Sequence, residues 1–147
     1  MGRDAQVFKN VSNLQLPEKL KAHVVVADAS TGELDFEEGW ENPKYDQLIA
    51  TEERLGNISM MAYLRNAIGR LCGEAVQPIL YRVLENGDGS DEDAVDRDEV
   101  GALGEEISVI REKCEGQPAD EDVDGFLAKL ESLVLAAKAE GNGIVLS

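Results

Sequence analysis

The residues Glu85 to Asp93 set five carboxylates, Asn86 and Ser90 around two glycines, the composition of a calcium-binding loop. An EF-hand loop needs oxygen ligands at alternate positions, then a glycine for the sharp turn, then a closing bidentate glutamate. Begun at Asn86, the register supplies Asn86, Asp88 and Ser90 but has Asp91 in the glycine place and Arg97 in the glutamate place. Begun at Asp88, it puts Asp93 where glycine belongs. Neither register closes, so the expectation is no metal site and a flexible acidic loop over residues 86–97.

The remaining reactive residue types are sparse. His23 is the single histidine and precedes the Val24–Val26 run, with no serine, cysteine or aspartate in a recognisable catalytic pattern around it. Cys72 and Cys114 each fall on the apolar stripe of a predicted helix and read as buried free thiols. No zinc-type cysteine spacing, nucleophile elbow or phosphate-cradling glycine loop is present. Paired carboxylates could run acid–base chemistry, but that needs one acid buried so that its pKa rises. Glu105, Glu106, Glu112 and Glu131 lie opposite the apolar stripes of their helices and read as solvated. No catalytic residue, cofactor or metal is expected, and the chain reads as a non-enzyme.

Charge is the dominant signal. Lysine and arginine number 14 against 30 aspartates and glutamates, a formal charge of −16. Eighteen of those acids sit in three segments, Glu33 to Glu41, Glu85 to Glu99 and Glu115 to Asp124, which together carry one base, Arg97. A field of that sign repels nucleic acid and anionic membranes and speeds encounter with basic proteins. Trp40 and Tyr45 flank the first acidic segment, where they could anchor a basic partner or simply cover a junction. Arg54 to Gly73 is the counter-anomaly: it holds Arg54, Arg65 and Arg70 and no acid. If the stretch is helical, Arg54 and Arg65 share a face close to three turns apart. They would then form a basic strip for an anion or an internal counterweight to nearby acids.

These groups must be positioned by elements of two periodicities. Ala22 to Ala27 and Glu33 to Glu37 read as strands joined by the turn residues Asp28 to Gly32, with Gly32 free to take positive φ. Gln6 to Val11 can add a strand, and the closing Ile144 to Leu146 can pair with it. Asn42-Pro43 reads as the start of a helix through Leu55, and Asn57 as the cap of a second helix stopped by Gly73. A short helix is expected over Pro78 to Leu84. Two amphipathic helices follow, one carrying Val100, Leu103, Ile107, Ile110 and Cys114, the other Val123, Phe126, Leu127, Leu130, Leu133, Val134 and Ala137. Asp98 and Asp122 or Asp124 stand at their starts, with Lys138 in a last turn. Glycines inside the helices (Gly69, Gly101, Gly104, Gly125) imply close helix packing or marginal stability.

The predicted fold is therefore α+β and mostly helical. An N-terminal β-hairpin, which the C-terminal strand can join, packs on a four- or five-helix bundle. All 147 residues form one expected domain, with a hairpin region over 1–41, a helical region over 42–141 and a short strand within 142–147. Met1 to Leu20 intersperses Arg3, Asp4, Lys9, Glu18 and Lys19, so neither a signal segment nor a membrane span is expected, and a cytoplasmic location follows.

In size, charge and lack of catalytic motifs, the chain is similar to bacterial immunity proteins, small acidic cytoplasmic domains that block a basic secreted toxin. The resemblance implies occlusion, with clustered Asp and Glu meeting the lysines and arginines of a toxin. The expected function is thus an acidic protein-binding domain with a basic protein partner. Its contact residues are expected among Glu37, Glu38, Trp40, Glu41, Tyr45, Asp91, Glu92 and Asp93. Arg54, Arg65 and Arg70 are the candidate anion contacts. The alternatives are a ligand- or cation-responsive regulatory domain and a structural subunit of a larger assembly.

Overall fold

A computed structural model describes residues 2–37, 45–72, 78–84 and 94–147. Over them the fold is α+β, 54% helical and 24% strand, as the two periodicities require. Strands are β1 (Gly2–Phe8), β2 (Val24–Asp28), β3 (Glu33–Phe36), β4 (Ile49–Asn57), β5 (Ala94–Val95) and β6 (Ile144–Leu146). Helices are α1 (Glu18–Lys21), α2 (Ile58–Gly69), α3 (Pro78–Leu84), α4 (Val100–Cys114) and α5 (Glu121–Glu140). Among the described residues no helix is long and apolar enough to cross a membrane.

Four strands form an antiparallel sheet in the order β4-β1-β6-β5, and β2 with β3 forms the expected hairpin beside it. The C-terminal strand pairs with the early strand, setting Ala5 opposite Leu146 and Gln6 opposite Val145. Strand alternation then separates two apolar clusters. Ala5, Val7, Ile144 and Leu146 join the helices in the larger core. Val145 and Phe8 turn the other way, to Leu34 and Phe36 of the hairpin and to Leu14, Leu16 and Leu48. The sheet is thus covered by helices on one face and by the hairpin on the other. Gly32 takes φ +77° in the hairpin turn, where a Cβ would meet Asn142 Oδ1 at 2.1 Å. Asn142 is itself buried and donates through Nδ2 to Phe8 O at 2.8 Å, tying the turn to the sheet.

Three expectations about the elements are corrected by this fold. The helix expected from Asn42 through Leu55 is instead a 3-10 turn over Tyr45–Leu48 followed by β4, so the 42–141 region is not wholly helical. The run Ile49–Asn57 carries both signals. Its alternating burial and its pairing with β1, interrupted by two register shifts, decide for strand, a non-local interaction that outweighs local propensity. The helix that Asn57 caps is real, with Asn57 Oδ1 accepting from Met60 N at 2.8 Å, but it ends at Gly69 rather than running on to Gly73, which lies outside the described residues. Finally, the end of the 86–97 segment is built into the sheet: Ala94 and Val95 pair with β6, and Arg97 N donates to Ser30 O at 2.9 Å. Residues 86–93 lie outside the described residues.

Helix α3 is only seven residues long, too short to persist unaided. It is held at both ends by buried charges from other elements. Glu106 of α4, 8% exposed, accepts from Leu80 N at 3.0 Å in the first turn. Arg3 of β1, 1% exposed, donates to Val83 O at 3.1 Å and to Arg82 O at 3.3 Å in the last turn. Anion at the start and cation at the end match the helix dipole and satisfy groups that a helix leaves open. This corrects the reading of Glu106 as solvated. Burial raises its pKa, against the opposing pull of the Leu80 and Ile79 amides and of Arg82.

Candidate functional site

A cleft of about 570 Å3 lies between α2, the end of α4, the loop after it and the start of α5. Each wall follows from local sequence. In α2 the stripe Met61, Leu64 and Ile68 is buried, which leaves Tyr63, Ala67 and Arg70, at spacings of four and three, on the flank facing the cleft. In α5 the cap is Asp120, whose Oδ1 accepts from Asp122 N at 3.0 Å and Val123 N at 3.1 Å, and Asp122 and Asp124 stand in the first turn as expected. That register turns Val123 and Leu127 inward to the floor and Glu121 and Asp124 to the rim.

Two side-chain bridges set the walls. Tyr63 Oη donates to Asp120 Oδ2 at 2.6 Å, joining α2 to the start of α5. The hydroxyl and the two backbone amides hold the Asp120 carboxyl below its usual range, while the same bond raises the Tyr63 phenol. Arg111 of α4 binds Glu131 Oε1 through Nη2 at 2.6 Å and also pairs with Asp124. These two carboxylates raise its pKa, Glu131 first, so its charge is committed within the fold. Arg70 is different. It is exposed, its Nε donates to Asn66 O of its own helix at 3.4 Å, and it has no carboxylate within ion-pair distance among the described residues. Glu121 and Asp122 are likewise exposed and have no side-chain hydrogen bond or ion pair among the described residues.

The arginines of the acid-free stretch do not form one strip, because Arg54 lies on β4 and not on a helix. The β1–β4 register places it opposite Asp4, whose two oxygens both accept from Nη1 at 3.1 Å. This is the internal counterweight, though with Asp4 rather than with Glu52 or Glu53. Arg65 sits over the Tyr81 ring, 5.9 Å from its centre. Arg70 alone of the three reaches the cleft.

Of the expected partner contacts, Glu37 is exposed just after β3, with Oε2 3.2 Å from His23 Nδ1. Tyr45 opens the turn before β4. Glu38, Trp40, Glu41, Asp91, Glu92 and Asp93 lie outside the described residues. Cys72 is buried, and burial raises its thiol pKa; Cys114 is half-buried on the cleft wall. Among the described residues no three His, Cys, Asp or Glu side chains are grouped to hold a metal ion.

Sequence reasoning missed Tyr63, Arg111 and Asp120 as parts of a site. The available signal was the second stripe of α2, Tyr63-Ala67-Arg70, which runs beside the apolar one and leaves Tyr63 and Arg70 exposed. No protein-family model, curated protein or solved structure matches the chain.

Proposed function

We propose that the chain is a non-enzymatic, acidic protein-binding domain whose partner is a basic protein, most concretely an immunity-type protein that occludes a basic toxin. One observation carries this reading: a segment with five acids and no base, Glu115 to Asp124, forms the loop and first turn beside the α2/α4/α5 cleft. Its outward side chains Glu115, Glu121, Asp122 and Asp124 are all exposed. Committed acids would be neutralised inside the fold, as Asp4 is by Arg54; most of these are left for solvent or a partner. Surface potential of this kind raises association rates and makes them steeply salt-dependent.

The test is capture by the immobilised chain at about 0.05 M salt, followed by elution toward about 0.5 M, where the screening length falls several-fold. A basic protein retained at low salt and released at high salt is the expected result. Capture of only neutral or acidic proteins, or retention indifferent to salt, would remove the reading. A ligand-responsive regulatory domain is the second reading, favoured by a cleft volume within the roughly 300–1,000 Å3 of small-molecule pockets. A structural-subunit role is supported by Leu135 on α5, which is 72% exposed.

A further inference from the structure

Taking the acidic protein-binding reading as its basis, we infer that the α2/α4/α5 cleft is the docking surface and that it takes an amphipathic basic segment. An apolar side chain of the partner seats on Ala67 and Leu71, and lysine or arginine beside it meets the α5 rim. Three observations carry this. The floor is apolar and partly open: Ala67 and Leu71 are half-buried against the core, so a partner's side chain gains burial there. The rim is acidic in a geometry the fold itself stabilises, since Asp120 caps α5 and its neighbours face the positive end of the helix dipole. Asp120 and Asp124 are held in place by Tyr63 and Arg111, while Glu121 and Asp122 remain available to a cation.

Arg70 gives the cleft a direction. Its exposed guanidinium stands on the α2 wall, where it repels a lysine or arginine of the partner. The basic residues are thereby directed to the α5 wall, a repulsive element of the kind that sharpens specificity. An acidic occupant, by contrast, would meet Arg70, an Arg111 already paired with Glu131 and Asp124, and a run of four acids within five residues, Asp120 to Asp124.

The test uses the full chain and three synthetic peptides of equal length: a Leu/Lys amphipathic peptide, a Gly/Ser/Lys peptide of the same charge, and a Leu/Glu peptide. Binding is read by fluorescence anisotropy at low salt and mapped by amide chemical shifts. The Leu/Lys peptide should bind at least tenfold more tightly than the other two and should shift Ala67, Leu71 and Val123. Ala67→Trp, which fills the floor, and the exposed pair Glu121→Lys with Asp122→Lys should each weaken it at least tenfold. Arg70→Glu should leave binding unchanged or tighten it. Unchanged melting curves for the rim pair separate lost binding from lost folding even if Ala67→Trp perturbs the core. Equal binding of both lysine peptides, untouched by Ala67→Trp, would overturn the cleft inference and leave the acidic reading standing. Preference for the Leu/Glu peptide would make Arg70 the anchor and overturn the inference. Binding of no peptide would overturn it too, while salt-dependent capture of a basic protein would still decide the broader reading.

Discussion

Replacing Glu106 tests whether a buried carboxylate in α4 holds α3 in place. Glu106→Ala removes the acceptor from Leu80 N–H, which sits in a buried first turn at 3.0 Å from the carboxylate. An orphaned buried donor costs about 1–3 kcal/mol, so a loss of about 2 kcal/mol is expected. For a chain of this size that lowers the melting temperature by roughly 4–8 °C. Glu106→Gln keeps an acceptor and removes the charge, so it should melt close to the parent below pH 4.5, where the parent carboxyl is itself protonated. The pH dependence follows from the direction of the shift. Burial raises the Glu106 pKa above its usual 4.5, so the folded state binds this proton more tightly than the unfolded state. The contribution of the site to stability is therefore full below the unfolded value and is lost as pH rises through the folded one. Relative to the parent, the Gln variant should gain stability as pH rises above 4.5 and then level off. Urea unfolding at several pH values measures this, and amide exchange of Leu80 to Leu84 reports α3 directly. A Glu106→Ala protein that melts like the parent with unchanged α3 exchange would refute the argument, and so would a Gln variant whose pH profile matches the parent.

Gly125→Ala in the second turn of α5 should raise stability by roughly 0.5–1 kcal/mol, because a Cβ there meets nothing within 4 Å and helical glycine carries that cost; a lower melting temperature would count against it. Gly143→Ala should do the reverse, losing more than about 2 kcal/mol, since its Cβ would lie 2.2 Å from Val95 O on the paired strand. Tyr63→Phe removes the largest cause of the lowered Asp120 pKa, so carboxyl-carbon NMR should show Asp120 titrating at higher pH. Asp120 stabilises the fold above its unfolded pKa and loses that contribution as pH falls through the folded one, so the acid-side loss from this site should be smaller in the variant. Iodoacetamide should label half-buried Cys114 in the native protein and reach Cys72, buried with a raised thiol pKa, only on unfolding; early labelling of Cys72 would contradict its placement in the core.

Much was legible in the chain where the physics is local. Asn57 capping α2, the stripes of α4 and α5, the short α3 and the Gly32 turn all depend on residues within a few positions of each other, and each forms where the pattern points. The pairing of the last strand with the first was also readable, from its β-branched residues after a breaker run. The charge imbalance is a property of composition alone. Ile49–Asn57 went the other way: its helical signal yielded to pairing along the whole length of β1, a partner more than forty positions away. That single change moved Arg54 to a strand opposite Asp4 and dissolved the basic strip. Glu106 lies on the flank of its helix's apolar stripe, three residues after Leu103 and four before Ile110, where α3 packs over α4 and leaves backbone amides to satisfy. The cleft has the same origin. Tyr63, Arg111 and Asp120 are distant in sequence, and only the packing of three helices brings them round one apolar floor. Local sequence thus determined the elements and the sign of the surface. Tertiary structure decided which charges are neutralised inside the fold and which face outward, because ion pairing and burial depend on distances that no periodicity encodes.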